Sequence, residues 1–492
     1  MKVLFVAAEM EPIAKVGGLA DVIGSLPEKL SELGCDVRIV IPFYREVKNN
    51  LRRYKLKAKT LKEKFTILVG RHKLNGIIEE LSLGSLKIYL LNNDNLYDRE
   101  FIYSTPQGQY KDNDLRFGFL SLGALEIVKT LNFKPNIIHC HDWHTALLPI
   151  ALKCRKDLRE EPFFKKSKIV FTIHNIAYQG LFSKGILDKF KITSSSSLKN
   201  NGTKLRGKVN LLKGGILYSH LVTTVSPSYA EELKTTQYST GLNNILRKTS
   251  EQQNKLIGIM NGIDYDHWNP KTDRALYVNY DTNDITMKTA NKIKLKQMLG
   301  FNSGNDKPLL GMVSRLTYQK GMDLVVDSLK DIFEMGFQLV IQGFGEEKIV
   351  NILKRAQEKH RKNLSVISKF DDVIARRIYA SSDIFLMPSR FEPCGLSNII
   401  ALRYGSIPIV RGTGGLLDSM RDYTVDKTTG NGFIFHKFSK PDLLYALSRA
   451  LSVFENKVEW SRLVTRAMKE DFSWKKSSKK YLELYKTLLS KK

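Results

Sequence analysis

Short apolar runs bounded by turn residues recur along the chain, and each is followed by a stretch whose apolar positions have helical spacing. This alternation is typical of parallel strands joined by helices that cover both faces of the sheet. In the first half it predicts strands over Val3–Ala8, Val37–Ile41, Ile137–Cys140, Ile169–Ile173 and Leu221–Val225. In the second half it predicts strands over Leu309–Ser314, Phe337–Ile341, Leu364–Ile367, Ile384–Met387 and Ile407–Val410, and helices over Asp323–Glu334 and Val373–Ala380. We therefore predict an α/β protein built from two doubly wound units.

The length of the chain also favours two domains. It has 492 residues, and a single hydrophobic core stops growing near roughly 250–300 residues. A polar region, residues 265–305, leads into the second series of strands, so we place the boundary near residue 255. Since doubly wound units bind ligands at the carboxyl ends of their strands, we expect a functional cleft between the halves. Segment 193–207, rich in Ser and Asn, is predicted to be a mobile surface loop.

Composition excludes several classes of protein. The chain is 42% hydrophobic and 26% charged, which excludes disorder. Its 4 cysteines lack C-x-x-C spacing, so we expect neither a disulfide framework nor a zinc ribbon, and a cytoplasmic location. Glu9 and Glu11 interrupt the apolar start, which predicts a buried strand and not a signal peptide. We find no run of ~18 apolar residues and expect no membrane association.

The net charge is strongly positive, with 78 Lys+Arg against 50 Asp+Glu, a formal +28. A nucleic-acid partner, an anionic substrate, or a habit of lysine usage would each explain this excess. The run Arg45–Lys64 is especially basic, but it lacks interleaved aromatic residues and any nucleic-acid-binding signature. We interpret that run as a solvated surface.

The loop after the first predicted strand holds Lys15, Gly17 and Gly18 and leads into a helix. Glycines lack a Cβ where a backbone must approach a ligand, and a helix start offers unpaired N–H groups to an anion. A plain tight turn from strand to helix fits the same residues equally well.

The segment His139–His144 (HCHDWH) follows another predicted strand, and His174 ends the next one. Histidines at this close spacing suggest a metal site or a buried, hydrogen-bonded turn. Asp142 and His144 are equally suited to bind a sugar hydroxyl. The residues alone leave these interpretations open.

Arg315 and Lys320 lie in one loop after the first strand of the second half. Two cations at this spacing can straddle a diphosphate, because Arg offers forked hydrogen bonds and Lys a compact charge. A solvated surface loop is the alternative.

Two further strand-end segments in the last quarter combine a carboxylate, glycines and hydroxyls, a set that suits a pocket for a polar ligand. Glu392 is otherwise explained as a charge at a helix start. The segments contain Glu392, Cys394, Gly395, Leu396 and Ser397, and then Thr413, Gly414 and Gly415.

Several segments occur in the order typical of bacterial glycogen and starch synthases, a family that the chain resembles over nearly its whole length. They are KVGGLADV at Lys15–Val22, HCHDWHTALLP at His139–Pro149, TIHNIAYQG at Thr172–Gly180, TVSPSYAEE at Thr224–Glu232, NGIDYDHWNP at Asn261–Pro270, SRLTYQKG at Ser314–Gly321, and RFEPCGL with RGTGGL in the last quarter. One departure is Ser397-Asn398-Ile399, where family members often carry threonine and glutamine, which puts the packing behind the hydroxyl contact in doubt.

The resemblance implies the GT-B architecture, in which two doubly wound Rossmann-like domains face each other across a deep cleft. Residues 1–254 would form the acceptor-side domain and 255–470 the domain that binds the nucleotide sugar. Residues 471–492 would form a helix that returns to the first domain.

The resemblance also implies roles for individual residues. Lys15 would meet the sugar-nucleotide donor, Arg315 and Lys320 would hold its diphosphate, and Glu392 would bind glucose hydroxyls. His144 would face the donor sugar near the reacting carbon. The other implied substrate-binding residues are Gly17, Gly18, Asp21, Tyr97, Asp142, Asn261, Cys394, Gly395, Leu396, Ser397, Thr413, Gly414 and Gly415.

The implied activity is transfer of glucose from ADP-glucose to the non-reducing 4-hydroxyl of an α-1,4-glucan such as glycogen. We expect retention of configuration and no metal or other cofactor. Two alternatives stay open at this point: a related GT-B enzyme that uses UDP-glucose, and, from a different class, a basic protein that binds nucleic acid or another polyanion.

Overall fold

The structure is a computed structural model that describes residues 1–105, 107–192, 203–301, 307–369 and 371–491. By packing, the chain divides into two compact units. The first is Met1–Gly262 together with Trp474–Lys492, and the second is Ile263–Ser473. The functional roles expected for residues 1–254, 255–470 and 471–492 stay predictions.

The first unit is built on one large sheet, with a three-stranded and a two-stranded sheet besides it in the described residues. Its strands are β1 (Lys2–Val6), β2 (Asp36–Pro42), β3 (Lys59–Val69), β4 (His72–Leu83), β5 (Leu86–Asn92), β6 (Ser104–Thr105), β7 (Gly108–Gln109), β8 (Ile137–His141), β9 (Lys168–Ile173), β10 (Leu181–Phe182), β11 (Lys204–Leu205), β12 (Lys208–Asn210), β13 (Leu221–Thr224) and β14 (Leu256–Gly258). Among the described residues the large sheet has the strand order β14-β13-β9-β8-β1-β2-β5-β4-β3. Its strands pair in parallel except at β3/β4 and β4/β5, which are antiparallel.

Helices cover this sheet, and the last helix of the chain packs in the same unit against α1 and β8. The helices are α1 (Gly18–Glu32), α2 (Arg45–Arg53), α3 (Asp94–Tyr97), α4 (Asn113–Thr130), α5 (Leu147–Cys154), α6 (Lys156–Arg159), α7 (Gly185–Lys189), α8 (Leu211–Tyr218), α9 (Pro227–Glu232), α10 (Asn243–Arg247) and, at the end of the chain, α19 (Trp474–Ser490). A 3-10 turn at Trp143–Thr145 and a π-helical turn at Lys248–Gln252 complete the set.

The second unit holds a fully parallel sheet with the order β17-β16-β15-β18-β19-β20 among the described residues. Its strands are β15 (Leu309–Val313), β16 (Gln338–Gln342), β17 (Leu364–Ile367), β18 (Ile384–Met387), β19 (Ile407–Arg411) and β20 (Phe433–Phe435). Its helices are α11 (Met287–Met298), α12 (Met322–Glu334), α13 (Glu347–Lys359), α14 (Asp372–Ser381), α15 (Leu396–Arg403), α16 (Gly415–Ser419), α17 (Lys440–Glu455) and α18 (Lys457–Lys469), with a 3-10 turn at Tyr318–Lys320.

The predicted strands and helices are confirmed, with ends shifted by no more than two residues. Strands β3 to β7, β10 to β12, β14 and the short β20 were not predicted. The basic run from Arg45 forms α2 and then the start of the edge strand β3, where its lysines are exposed. Charged side chains on an edge strand block pairing with another chain, and they also hide the alternation that reveals a strand. Of the predicted loop, residues 193–202 lie outside the described residues, and the rest leads into the β11/β12 hairpin.

One lysine ties α11 to the second sheet. Lys288 is 8% exposed, and its Nζ donates to the carbonyl oxygens of Ala380 at 2.8 Å and Tyr404 at 3.1 Å. It also donates to Ser406 Oγ at 3.0 Å. Lys288 shares these carbonyls with the Tyr280 hydroxyl, which donates to the Tyr404 carbonyl oxygen at 2.7 Å, and burial lowers the pKa of Lys288 to about 7.

We predict that Lys288→Met destabilises the second unit by about 1–3 kcal/mol, because the buried Ala380 carbonyl and Ser406 hydroxyl lose a hydrogen-bond donor. The midpoint of thermal unfolding should fall, as measured by calorimetry. Lys294→Met, an exposed lysine on the same helix, is the matched control and should change the midpoint little. Equal effects of the two variants would contradict this role for Lys288.

Candidate active site

In the first unit the candidate residues follow the carboxyl ends of parallel strands of one sheet. The Lys15 loop comes after β1, Asp142 and His144 come after β8, and Asn261 comes after β14. Because parallel strands end at one edge of the sheet, residues far apart in sequence are gathered there.

The loop that contains Lys15 is fixed by carboxylates. Lys15 Nζ lies 2.8 Å from Asp21 Oδ1 and 3.1 Å from Glu11 Oε2. Burial opposes the charged form of Lys15, but Asp21 and Glu11 outweigh it and raise the pKa of the ammonium. Gly18 begins α1, and a Cβ on Gly17 would meet no atom within 4 Å. Packing therefore leaves space beside Gly17 that a ligand can use.

Glu9 organises this loop, a role that the sequence analysis missed. Its Oε2 accepts the backbone N–H groups of Val16 at 2.7 Å and Gly17 at 2.8 Å, and its Oε1 accepts the Tyr103 hydroxyl at 2.5 Å. Burial raises the pKa of Glu9, while these three donors act in the opposite direction. The Tyr103 ring in turn stacks on His144, with centroids 4.8 Å apart. One buried carboxylate therefore joins the Lys15 loop to His144.

The other histidines of the cluster bond to one another or to hydroxyl groups. His141 Nδ1 lies 2.9 Å from His174 Nε2. His139 contacts the hydroxyls of Thr172 at 2.6 Å and Tyr485 at 2.7 Å. Across the described ranges, no group of three or more His, Cys, Asp or Glu side chains is arranged to hold a metal ion. Hydrogen bonding at the strand ends accounts for the close spacing of these histidines.

His144 and Asp142 lie in the turn after β8 and are both buried. Asp142 has φ 55°, and its Oδ1 accepts the backbone N–H of His174 at 2.7 Å. Burial raises the pKa of Asp142 to about 7. Burial, helped by Arg116 and His174, lowers the pKa of His144 to about 3, so His144 is a neutral imidazole at physiological pH.

Several buried polar atoms at this edge lack a hydrogen-bond partner within the described part of the chain. They include Nδ1 of His144, Nε2 of His141 and Oδ1 of Asn261. An unpaired buried polar atom costs free energy, and such atoms mark positions that a ligand group can satisfy.

Tyr97 differs from the other candidates. It is 0% exposed, its hydroxyl donates to the carbonyl oxygen of Arg116 at 2.7 Å, and its ring packs against Tyr44 and Phe119. The structure therefore places Tyr97 in the core of the first unit, and its expected contact with substrate stays a prediction.

In the second unit, Arg315 and Lys320 lie in the loop after β15. Lys320 Nζ lies 2.5 Å from Glu392 Oε2, which also accepts the Ser389 hydroxyl at 3.1 Å. Arg315 Nη2 donates to Gln319 Oε1 at 3.2 Å within the same loop. Gly321 has φ 73°, and a Cβ there would meet the Pro388 carbonyl oxygen at 2.0 Å. The glycine thus allows the Lys320 loop to pack against the segment that carries Glu392.

The two glycine-containing segments of the last quarter also meet. The backbone N–H of Gly415 donates to the Glu392 carbonyl at 3.0 Å, and a Cβ on Gly415 would lie 2.2 Å from the Cys394 carbonyl oxygen. Gly395 has φ 85° and Gly414 has φ 47°. Leu396 and Ser397 begin α15 next to this contact, and Thr413 and Gly414 precede α16. The second unit therefore gathers its predicted site residues at the carboxyl edge of its sheet.

Two Rossmann-like α/β units with cation, carboxylate and glycine loops at their strand ends define a glycosyltransferase of the GT-B fold. Residues 2–248 match the family model described as starch synthase catalytic domain, and residues 295–462 match glycosyl transferases group 1. The chain is 43% identical to the glycogen synthase of Geotalea uraniireducens over 492 residues, 100% of both chains. It is 42% identical to the glycogen synthase of Thermotoga maritima over 494 residues, 100% of this chain and 99% of that one.

A solved structure agrees with these relatives. The catalytic domain of starch synthase IV from Arabidopsis thaliana, bound to ADP and acarbose, matches with a TM-score of 0.89 and 33% identity over 99% of each chain. The chain belongs to the glycogen and starch synthase family. It is therefore an enzyme, and the family expected from the sequence motifs is confirmed. No helix in the described part of the chain is long and apolar enough to cross a membrane.

We predict that the His144 imidazole stays neutral from about pH 5 to about pH 8, because a lowered pKa keeps the neutral form dominant above that value. In ¹³C-histidine NMR spectra, the His144 resonance, assigned through its loss in His144→Asn, should not shift across this range. A titration with a midpoint between about pH 6 and pH 7 would show that the ring is solvated.

Proposed function

We propose that the protein extends an α-1,4-glucan such as glycogen, transferring glucose from ADP-glucose to the non-reducing 4-hydroxyl with retention of configuration. The observation that most supports this is the ion pair between Glu392 and Lys320, which lies in the same loop as Arg315. It occurs in a chain 33% identical to a starch synthase whose structure holds ADP and acarbose.

Arg315 and Lys320 are proposed to stabilise the departing diphosphate. Charge develops on the phosphate oxygen as the bond to glucose breaks, and cations already held in place stabilise it without reorganisation. Lys320 meets this requirement, since Glu392 and the nearby Ser389 hydroxyl restrict it. Lys15, held by Asp21 and Glu11, is proposed to contact the same donor.

One carboxylate and two neutral side chains are proposed to bind the sugar. Glu392 would accept glucose hydroxyls with the carboxylate capacity that Lys320 and Ser389 leave free. His144, neutral through its lowered pKa, and Asn261 each carry a polar atom without a partner in the described chain. Such atoms can bond a hydroxyl without placing a second charge beside the reacting carbon.

The transfer is proposed to occur on one face of the sugar. A double displacement requires a carboxylate directly below the anomeric carbon, and the Glu392 carboxylate is bound to the Lys320 ammonium. We propose that the 4-hydroxyl oxygen forms the new glycosidic bond as the bond to the phosphate oxygen breaks. The phosphate oxygen takes the hydroxyl proton, so ADP leaves and configuration is retained.

The assignments to domains and location follow from the same proposal. Residues 1–254 would bind the glucan, residues 255–470 the donor, and residues 471–492 would belong with the first domain. The four cysteines are buried free thiols, which is consistent with a cytoplasmic enzyme.

The decisive experiment compares kcat/KM for ADP-glucose and UDP-glucose with glycogen as primer, with and without excess chelator. We expect ADP-glucose to be preferred, activity to persist in chelator, because Arg and Lys supply the positive charge, and the product to be degraded by an α-1,4-specific hydrolase. Preference for UDP-glucose would support the related transferase. Absence of transfer, combined with steeply salt-dependent DNA binding, would support the polyanion-binding alternative.

We predict that Lys320→Ala lowers kcat by about 10²–10³-fold, as expected for loss of one donor to a developing anion. Steady-state assays with ADP-glucose measure this effect. Lys330→Ala, whose side chain is 83% exposed on α12, removes the same charge from the same unit and should leave kcat unchanged. Similar losses in both variants would argue against a specific role for Lys320.

A further inference from the structure

A second site lies in the first unit, at the sheet edge opposite the candidate active site. A cavity of about 420 Å³ is lined by Lys153, Lys168, Ser219, His220, Lys255 and Lys491 among other residues. We call it the basic pocket. Its position follows from the strands, since Lys168 begins β9 and His220 and Lys255 directly precede β13 and β14.

The basic pocket is separate from the candidate active site. His144 and Asn261 follow strand carboxyl ends, whereas these lysines lie at strand amino ends. A strand of five or six residues spans about 15–20 Å. A ligand in the basic pocket therefore does not contact the residues proposed to bind the donor.

The charge in the basic pocket is not compensated by the protein. No Asp or Glu lines its described walls. Within the described ranges, no hydrogen bond or ion pair engages the Nζ of Lys153, Lys168, Lys255 or Lys491. Burial lowers the pKa of His220 to about 4, and Lys153, Lys168 and Lys255 contribute to that shift, which indicates that their positive field reaches the ring.

Two neutral donors complete the basic pocket. Ser219 is 4% exposed, and its Oγ has no hydrogen-bond partner among the described residues. His220 Nδ1 accepts the backbone N–H of Ile169 at 2.9 Å. The neutral ring must therefore carry its proton on Nε2, which makes Nε2–H the donor available to a ligand.

Neutralisation of helix ends does not account for these lysines. Helices α5, α8 and α19 end nearby, and helix carboxyl ends attract cations. However, the lysine Nζ atoms donate to no carbonyl in the described chain, and a helix-end role leaves the buried Ser219 hydroxyl unexplained. An anionic ligand explains both observations.

We propose that the basic pocket binds a small anion that carries two or more phosphate groups, at a site separate from the proposed donor site. The volume lies in the range of small-molecule sites. Four ammonium groups match an anion of three or four negative charges, and Lys is a common point-charge ligand of phosphate. The hydroxyl and imidazole donors would each bond a phosphate oxygen.

The test is calorimetric titration of the full-length protein with inorganic pyrophosphate. All variants carry Arg315→Ala, so that binding at the proposed donor site is suppressed. We expect one equivalent to bind and the double variant Lys168→Gln/Lys255→Gln to weaken binding about 10- to 100-fold, because two charged contacts are lost. The pair Lys64→Gln/Lys73→Gln, on the exposed strands β3 and β4, removes the same charge and should leave the affinity unchanged.

A second readout does not depend on lysine substitution. The His220 resonance in ¹³C-histidine spectra should shift when pyrophosphate binds, and Ser219→Val should weaken binding without lowering the thermal midpoint.

In the otherwise wild-type enzyme, Lys168→Gln/Lys255→Gln should keep basal glucosyl transfer within about twofold, because the altered residues are remote from the reaction.

Absence of pyrophosphate binding would overturn the proposal, as would equal weakening by both lysine pairs. Much tighter, steeply salt-dependent binding of DNA that the pocket variants abolish would assign the surface to a polymer. Failure of glucosyl transfer by itself would refute the proposed function and not the basic pocket, because the two are measured separately.

Discussion

The parallel pairing of the central strands is the constraint on which both proposed sites depend. Each crossover must return through a helix, so the loops that leave the strands collect at one edge and the loops that enter them collect at the other. In the first unit, the leaving loops carry Lys15, Asp142 and His144, and the entering positions carry Lys168, His220 and Lys255. The same topology therefore creates two surfaces of different chemistry on one sheet.

Glu9 shows how the first unit stabilises its reactive edge. Burial of a carboxylate is expensive unless hydrogen bonds satisfy it, and Glu9 accepts three, from Val16, Gly17 and Tyr103. These three hydrogen bonds offset the cost of burying the carboxylate, and they also fix the backbone of the Lys15 loop. The backbone of the Lys15 loop and the Tyr103 ring, which stacks on His144, therefore belong to one hydrogen-bonded network. A displacement of the loop would move the Tyr103 ring against the His144 imidazole.

The sequence predicted those parts of the fold whose signal is local. Strands buried on both faces appear as continuous apolar runs, which is why β1, β8 and β15 were found. Strand β3 was missed because its exposed charges obscure its alternation, and β20 because three residues carry too little pattern. The pairing of Lys320 with Glu392 joins residues separated by 72 positions, so no spacing rule reveals it, although both segments were identified separately.

The sequence could not predict the environments of other residues, because these depend on contacts between distant parts of the chain. Glu9 was visible only as the acidic residue that ends an apolar run, and its partner Tyr103 lies 94 positions away. The lysines of the basic pocket are scattered from Lys153 to Lys491, and only the fold brings them together. Tyr97 was assigned to substrate by resemblance, while in the structure it is fully buried and its hydroxyl bonds to the Arg116 carbonyl. Tertiary packing decides such cases, and single-chain patterns do not encode it.

The division of charge between the two units bears on how a sugar nucleotide would be oriented. The second unit places the basic side chains of Arg315 and Lys320 in one loop, whereas in the first unit burial lowers the pKa values of His144 and His174 to about 3. An anionic diphosphate is drawn to permanent cations, and an uncharged sugar loses less hydration beside neutral donors and acceptors. On the proposed function, the Arg315 and Lys320 loop of the second unit would therefore bind the diphosphate, whatever base the nucleotide carries.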